Sequence, residues 1–115
     1  MKRGNLMSAE IQKLLALYRQ KLENISGEHI KKIILYGSYA RGDFKINSDI
    51  DIMILVDVPE EQKRKYENSI YDITYDFNEE HNTEIIPIVQ DINHFNYWKN
   101  VYMFYSNVEK EGVVI

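Results

Sequence analysis

Apolar residues recur along this chain first at helical and then at strand spacing, and the changes of period divide it into elements. From Leu6 to Ile25, Ile11, Leu14, Leu15, Tyr18, Leu22 and Ile25 form one stripe, which predicts a packing helix with Ser8 as its N-cap. Gly27 follows, suited to end the helix in the left-handed conformation that a side chain resists. Ile30 to Tyr36 contains the unbroken apolar run Ile33-Ile34-Leu35 and reads as a central strand. Residues 38 to 41 leave room only for a turn or the first turn of a helix, and Gly42 to Ser48 is polar. A second strand runs from about Ile50 to Val56. Side chains alternate along a strand, so Ile50, Ile52, Ile54 and Val56 make one aliphatic face for the helices, while Asp49, Asp51, Met53 and Leu55 share the opposite face.

The second half repeats the change of period. Pro59, Glu60 and Glu61 open a helix whose buried stripe is Tyr66, Ile70, Ile73 and Phe77. Glu79 to Thr83 is a polar break, and Glu84 to Val89 is the third strand. Pro87 has no N–H for a ladder bond, which places this strand at an edge or leaves that position unpaired. Asp91 to Asn93 cap a final helix carrying Trp98, Val101, Tyr102, Tyr105 and Val108. Phe95, Tyr97, Met103 and Phe104 add more apolar surface than one core-facing side needs, an excess that points to a partner interface. The closing stretch Glu111 to Ile115 suits a short extended segment laid on an exposed sheet edge.

Composition narrows the chemistry. A length of 115 residues fits one domain, taken as residues 1–115, and no internal repeat or flexible linker interrupts it. Fourteen basic against 18 acidic residues, a formal charge of −4, argues against stable sequence-independent binding of long nucleic acid, yet leaves room for a nucleotide. The absence of cysteine removes disulfides, thiolate metal sites and cysteine nucleophiles. No run approaches a membrane span, and Met1-Lys2-Arg3-Gly4-Asn5 is not followed by an apolar signal core, so the expected location is the cytoplasm. His29, His81 and His94 lie far apart with no close partner, which fits surface or capping roles rather than a zinc site.

The candidate chemistry sits at the junction of the first two strands. Asp49 and Asp51 fall on one side of a strand, so their oxygens can converge on magnesium or manganese. A pair of such ions about 4 Å apart can hold the attacking and leaving oxygens of a phosphoryl displacement. Two close carboxylates also repel each other, which a divalent cation relieves. Gly37 and Ser38 end the first strand, where a bend exposes backbone amides for phosphate oxygens and Ser38 adds a hydroxyl. Arg41 can neutralise phosphate charge or brace the loop, Gly42 can release the chain from a left-handed position, and Lys45 is a weaker phosphate candidate. The stretch is neither a P-loop nor a dinucleotide fingerprint, both of which need other glycine spacings.

The order Gly37-Ser38-Tyr39-Ala40-Arg41-Gly42, then Ser48-Asp49-Ile50-Asp51, resembles the motif of the DNA polymerase beta-like nucleotidyltransferase superfamily, and within it the minimal nucleotidyltransferases of prokaryotes. The resemblance covers nearly the whole chain, including the ending from Tyr105 to Val113. It implies an α+β fold in which a mixed sheet has helices packed against one face. It also implies magnesium-dependent transfer of a nucleoside monophosphate from a triphosphate, with two ions bound and pyrophosphate leaving. Gly37, Ser38, Arg41, Gly42 and Ser48 would then serve the nucleotide, with Asp49 and Asp51 holding the metals. The family's third carboxylate, which helps position or deprotonate the attacking hydroxyl, is best matched by Glu84, which would then join Asp49 and Asp51 as a third metal ligand. Glu84 shares strand parity with Ile86 and Ile88, so either those two face the open side or Glu84 lies just before the regular strand. Asp72, Asp76, Glu79 and Glu80 read as a solvated helix end and remain fallback acids.

In this family, minimal nucleotidyltransferases are commonly encoded beside an all-helical HEPN protein, and some are antitoxins that add AMP to one of its tyrosines. The leading expectation is therefore AMP transfer from ATP to such a partner, docked on the aromatic C-terminal helix. One alternative is nucleotidylation of a small molecule, as in aminoglycoside-modifying relatives that carry an additional helical domain. Another is a non-catalytic module that sequesters a partner. The base of the triphosphate, the acceptor and any homo-oligomer are left open by the sequence.

Overall fold

The aliphatic face predicted for the second strand forms the middle of the molecule. A computed structural model describes residues 9–45 and 47–115, so the predicted helix start at Leu6 and the Ser8 cap lie outside the described residues. In chain order the elements are α1 (Ala9–Ser26), β1 (Ile30–Tyr36), the single turn α2 (Ser38–Arg41), and β2 (Ile50–Val56). After a 3-10 turn at Glu60–Gln62 come α3 (Lys63–His81), β3 (Ile85–Asp91), α4 (Ile92–Trp98), α5 (Met103–Glu111) and β4 (Val113–Val114). The sheet order is β3-β2-β1-β4. β1 runs antiparallel to both β2 and β4, while β2 and β3 are parallel and joined through α3. Pro87 accordingly sits on an edge strand, and the C-terminal segment extends the opposite edge, where the Ile115 amide donates to the Ile33 carbonyl at 2.9 Å.

On one face of the sheet Ile33, Leu35, Ile50, Ile52, Ile54 and Ile85 are buried against Leu15, Tyr18 and Leu22 of α1 and Ile70 and Phe77 of α3. Each such side chain contributes about 1.5–3 kcal/mol when taken out of water. Two departures occur in α1. Ile25 is exposed rather than part of the buried stripe, and Gly27 ends the helix without a left-handed φ. Its missing Cβ instead lets the backbone close on the Glu23 carbonyl, to which the Gly27 amide donates at 3.0 Å.

The other face is partly covered, where the sequence suggests an open one. Met53 and Leu55 are buried there with Ile34 beneath Phe95 of α4 and Val108 of α5. The mixed sheet with its main helices on one side stands, and the two short helices leave free the end of β2 that carries Asp49 and Asp51. The single final helix predicted after Asp91 is two. Asp91 caps α4 as expected, accepting from the His94 amide at 2.9 Å, but the chain then breaks around Lys99–Tyr102. Phe95 and Val108 lie 13 positions apart, about 20 Å along a straight helix, and they meet in one cluster only because the break folds α5 back. α3 continues through the predicted break as far as His81, and β3 begins at Ile85, one residue later than predicted.

Between α1 and α3 lies a polar contact that the hydrophobic pattern hides. The buried Tyr18 hydroxyl pairs with Thr74 Oγ1 at 2.6 Å, and Thr74 Oγ1 in turn donates to the Ile70 carbonyl at 2.8 Å. Burial pushes the Tyr18 pKa up to about 12, so the hydroxyl keeps its proton. Thr74→Val should cost about 1–3 kcal/mol, because it leaves the Tyr18 hydroxyl buried without a partner. Adding Tyr18→Phe should recover most of that loss. Urea midpoints of the two single variants and the double variant check this, and purely additive losses would contradict it.

Candidate active site

The site is built where β1 stops. Tyr36 ends the strand in register with Asp51 of β2, and Asp51 is in register on its other side with Ile86 of β3. Gly37 follows at φ 76, ψ −154, a conformation that glycine adopts at no steric cost. A Cβ at Gly37 would collide with the Asp51 carboxylate. The missing side chain therefore lets the turn lie directly against Asp51. The chain then makes the single turn α2, closed by Gly42 at φ 87, whose amide donates to the Ser38 carbonyl at 2.9 Å. The opening amides of a helix have no intrahelical acceptor, and no side chain caps this one. Tyr39 and Ala40 are buried, with Tyr39 stacked on Phe44 at 4.4 Å, and so anchor the turn in the core.

Asp49, just before β2, is exposed, and Asp51, its second residue, is half-buried. Burial, then the charge of Asp49, pushes the Asp51 pKa up, against an opposing pull from Arg41. Burial and the Asp51 charge likewise push the Tyr36 pKa up to about 12, so at neutral pH Tyr36 is protonated. The two carboxylates thus repel each other beside a turn of uncapped amides, an arrangement that a cation relieves. Magnesium is commonly bound by one or two carboxylates completed with substrate phosphate oxygens, and Asp49 with Asp51 fits that donor set. Among the described residues no group of three His, Asp or Glu side chains is arranged to hold a metal ion.

The other predicted residues separate around this centre. Arg41 borders a small hollow with Gly37 and braces the loop, its Nε donating to Asp43 at 3.2 Å and its Nη1 to Glu111 at 3.4 Å. Ser48 closes the polar link: its Oγ accepts from the Lys45 amide at 2.7 Å, and its own amide donates to the Lys45 carbonyl at 2.9 Å. Glu84 lies just before β3, and Ile86 and Ile88 do face the side of Asp51 and Met53, so both parts of the parity argument hold. The Glu84 carbonyl accepts from the Ile50 amide at 2.9 Å. Extending the β2–β3 register by one residue sets Glu84 beside Asp49. Glu84 and Ser48 also border a hollow of about 730 Å3 together with Asn47 and Asn78.

Asp72, Asp76, Glu79 and Glu80 are solvent-exposed along α3. Of the three histidines expected at the surface or as caps, His94 is exposed beside Trp98 and Tyr105, whereas His29, bonded to the Asp57 carbonyl, and His81, packed on Phe77, are half-buried. Two positioning residues escaped the sequence reading. Asn78 clamps the start of β3, its Oδ1 accepting from the Ile85 amide and its Nδ2 donating to the Ile85 carbonyl; only its place near a helix end hints at this. Glu111 ties Arg41 to α5 across 70 positions, a contact no local pattern signals.

The chain belongs to the nucleotidyltransferase domain family, whose model matches residues 15–114. This is the polymerase beta-like class that its motif resembles, and its chemistry is nucleotide transfer. Among curated proteins it is similar to "Putative protein adenylyltransferase MJ0604" of Methanocaldococcus jannaschii, at 40% identity over 86 residues, 75% of this chain and 78% of that one. It is also similar to "Putative protein adenylyltransferase MJ0141" of the same organism, at 37% identity over 71 residues, 58% and 72% of the two chains. Among solved structures, a "putative nucleotidyltransferase from Sulfolobus solfataricus" shares the fold with a TM-score of 0.52 at 18% identity, covering 94% of this chain and 86% of that one. No helix among the described residues is long and apolar enough to cross a membrane.

The raised Asp51 pKa has a signed consequence. Its folded value lies above the ordinary 3.8, so the folded state binds more protons, and stability falls as pH rises through that window. At pH 7 the charged group is destabilising. Asp51→Asn should therefore unfold at a higher temperature than the wild type in metal-free buffer, with the difference closing below pH 3.8. Added magnesium should raise the wild-type midpoint and leave Asp51→Asn unmoved. Thermal scans at both pH values check this; a variant less stable at pH 7 would contradict it.

Proposed function

We propose that this chain is a protein adenylyltransferase, moving AMP from ATP to a hydroxyl of a partner protein with magnesium bound at Asp49 and Asp51. The observation that carries the reading is the close approach of Gly37 to Asp51, which sets carboxylates and uncapped amides at one place. The names of the Methanocaldococcus relatives support AMP as the group transferred and protein as the acceptor class.

In this reading the α2 amides and the Ser38 hydroxyl hold the outer phosphates, and Gly37 admits them by having no side chain. Arg41 braces the turn, its guanidinium held by Asp43 and Glu111. Bound magnesium supplies charge neutralisation and alignment of the phosphates. The acceptor oxygen bonds to the α-phosphorus as the bond to the bridging oxygen of pyrophosphate breaks. Glu84, on the neighbouring strand end, orients the acceptor hydroxyl and takes its proton. Tyr36, with its pKa pushed up to about 12, keeps its own proton and so takes none from the acceptor.

The partner we infer is a HEPN-domain protein presenting a tyrosine, as the family resemblance implies. Support for a docking role comes from α4 and α5, where Tyr97 is 74% and Met103 78% exposed, with Val101 and Tyr102 also exposed. This ledge adjoins the site, because Phe104 packs edge-on against Tyr36, the in-register neighbour of Asp51.

Purified protein incubated with magnesium and each labelled nucleoside triphosphate, with and without a HEPN-domain protein from the same genome, should leave one AMP on that protein by intact mass. Asp49→Ala and Asp51→Ala should each lower the rate by about 10²–10³-fold, the scale of losing one preorganised electrostatic group. Glu84→Gln should lower kcat while leaving nucleotide affinity in place. No adduct and no pyrophosphate release, despite a tight complex, would overturn the reading in favour of a sequestering module.

A further inference from the structure

Resting on the nucleotide reading above, we propose that the hollow between the Gly37 turn and α5 receives the base of the triphosphate, and that Asn107 reads that base as adenine. The hollow measures about 250 Å3 and borders Gly37 directly. That is below the roughly 300–1,000 Å3 that encloses a whole drug-sized ligand, and suits a single flat ring system whose phosphates lie outside it. Phe104, Asn107, Val108 and Glu111 line it at intervals of three, one and three residues, so one face of α5 is turned toward the catalytic turn.

The chemistry of the walls selects the occupant. Val108 is buried, and Phe104 meets Tyr36 edge-on at 5.7 Å and 78°, with 45% of its surface left free for stacking. Arg41 and Glu111 pair with each other at 3.4 Å, so the charged groups of the hollow offset one another. A neutral, flat, hydrogen-bonding group fits such walls better than another phosphate. Asn107 is exposed, and its side-chain amide makes no hydrogen bond to any described residue.

A side-chain amide donates and accepts side by side, which matches the N7 acceptor and N6 amine of adenine. Guanine and hypoxanthine place a carbonyl oxygen where adenine has the amine, setting acceptor against acceptor. Stacking on Phe104 supplies affinity for any base, and Asn107 supplies the choice among purines.

The test is calorimetric binding to the full chain with magnesium, using ATP, ITP and inorganic tripolyphosphate as probes. The wild type should bind ATP about tenfold or more tightly than ITP, the discrimination expected of one amide pair. Asn107→Leu should bring ATP down to the affinity of ITP without changing ITP. Phe104→Ala should weaken ATP and ITP together, and neither substitution should change tripolyphosphate binding. Equal wild-type affinity for ATP and ITP with tripolyphosphate still bound would overturn the base site alone. Loss of tripolyphosphate binding in Asn107→Leu would assign Asn107 a structural role and overturn the proposal too. Failure of tripolyphosphate and ATP to bind the wild type would overturn the nucleotide reading, and this proposal with it.

Discussion

The approach of the Gly37 backbone to the Asp51 carboxylate is the constraint on which the site depends. A Cβ at position 37 cannot coexist with that carboxylate, and the positive φ of Gly37 sends the chain from β1 into the single turn α2. One position without a side chain thus sets the turn's amides beside the acidic end of β2. The rest of the molecule holds the two pieces in register: Tyr36 pairs with Asp51, Tyr39 and Ala40 anchor the turn, and Asn78 clamps the strand beyond.

The sheet tolerates this charge because its burial is graded along β2. Met53 and Leu55 are covered by Phe95 and Val108, whereas Asp51 is half-buried and Asp49 exposed. Taking Asp51 partly out of water beside Asp49 raises its pKa, a cost that a bound cation would offset. The same short helices that cover Met53 and Leu55 present the exposed aromatic surface next to the site, so the second layer both closes a core and shapes the approach to the carboxylates.

Much of this was legible in the sequence, and the exceptions share a cause. β1 and β2 fall where the apolar run and the alternation put them, and the motif between them falls on the turn where Gly37 meets Asp51. The break between α4 and α5 was hidden because Phe95, Trp98, Val101, Tyr102, Tyr105 and Val108 keep helical spacing across it. Only the shared cluster on the second face of the sheet requires the chain to turn there. The Tyr18–Thr74 pair and the Arg41–Glu111 tie join residues 56 and 70 positions apart, and no local period records such contacts. Ser48 belongs to the recognised motif, yet here its hydroxyl closes the Lys45 link, a role that spacing alone does not separate from nucleotide binding.

The central claim is that the Gly37 turn and the Asp49–Asp51 pair form a single cradle for a nucleoside triphosphate. It is tested most directly by a crystal structure of the chain with magnesium and a non-hydrolysable ATP analogue. The account predicts metal density against both carboxylates and phosphate oxygens on the amides at the start of α2. A nucleotide bound elsewhere, or phosphates bound at the turn with Asp49 and Asp51 contacting no ion, would contradict it.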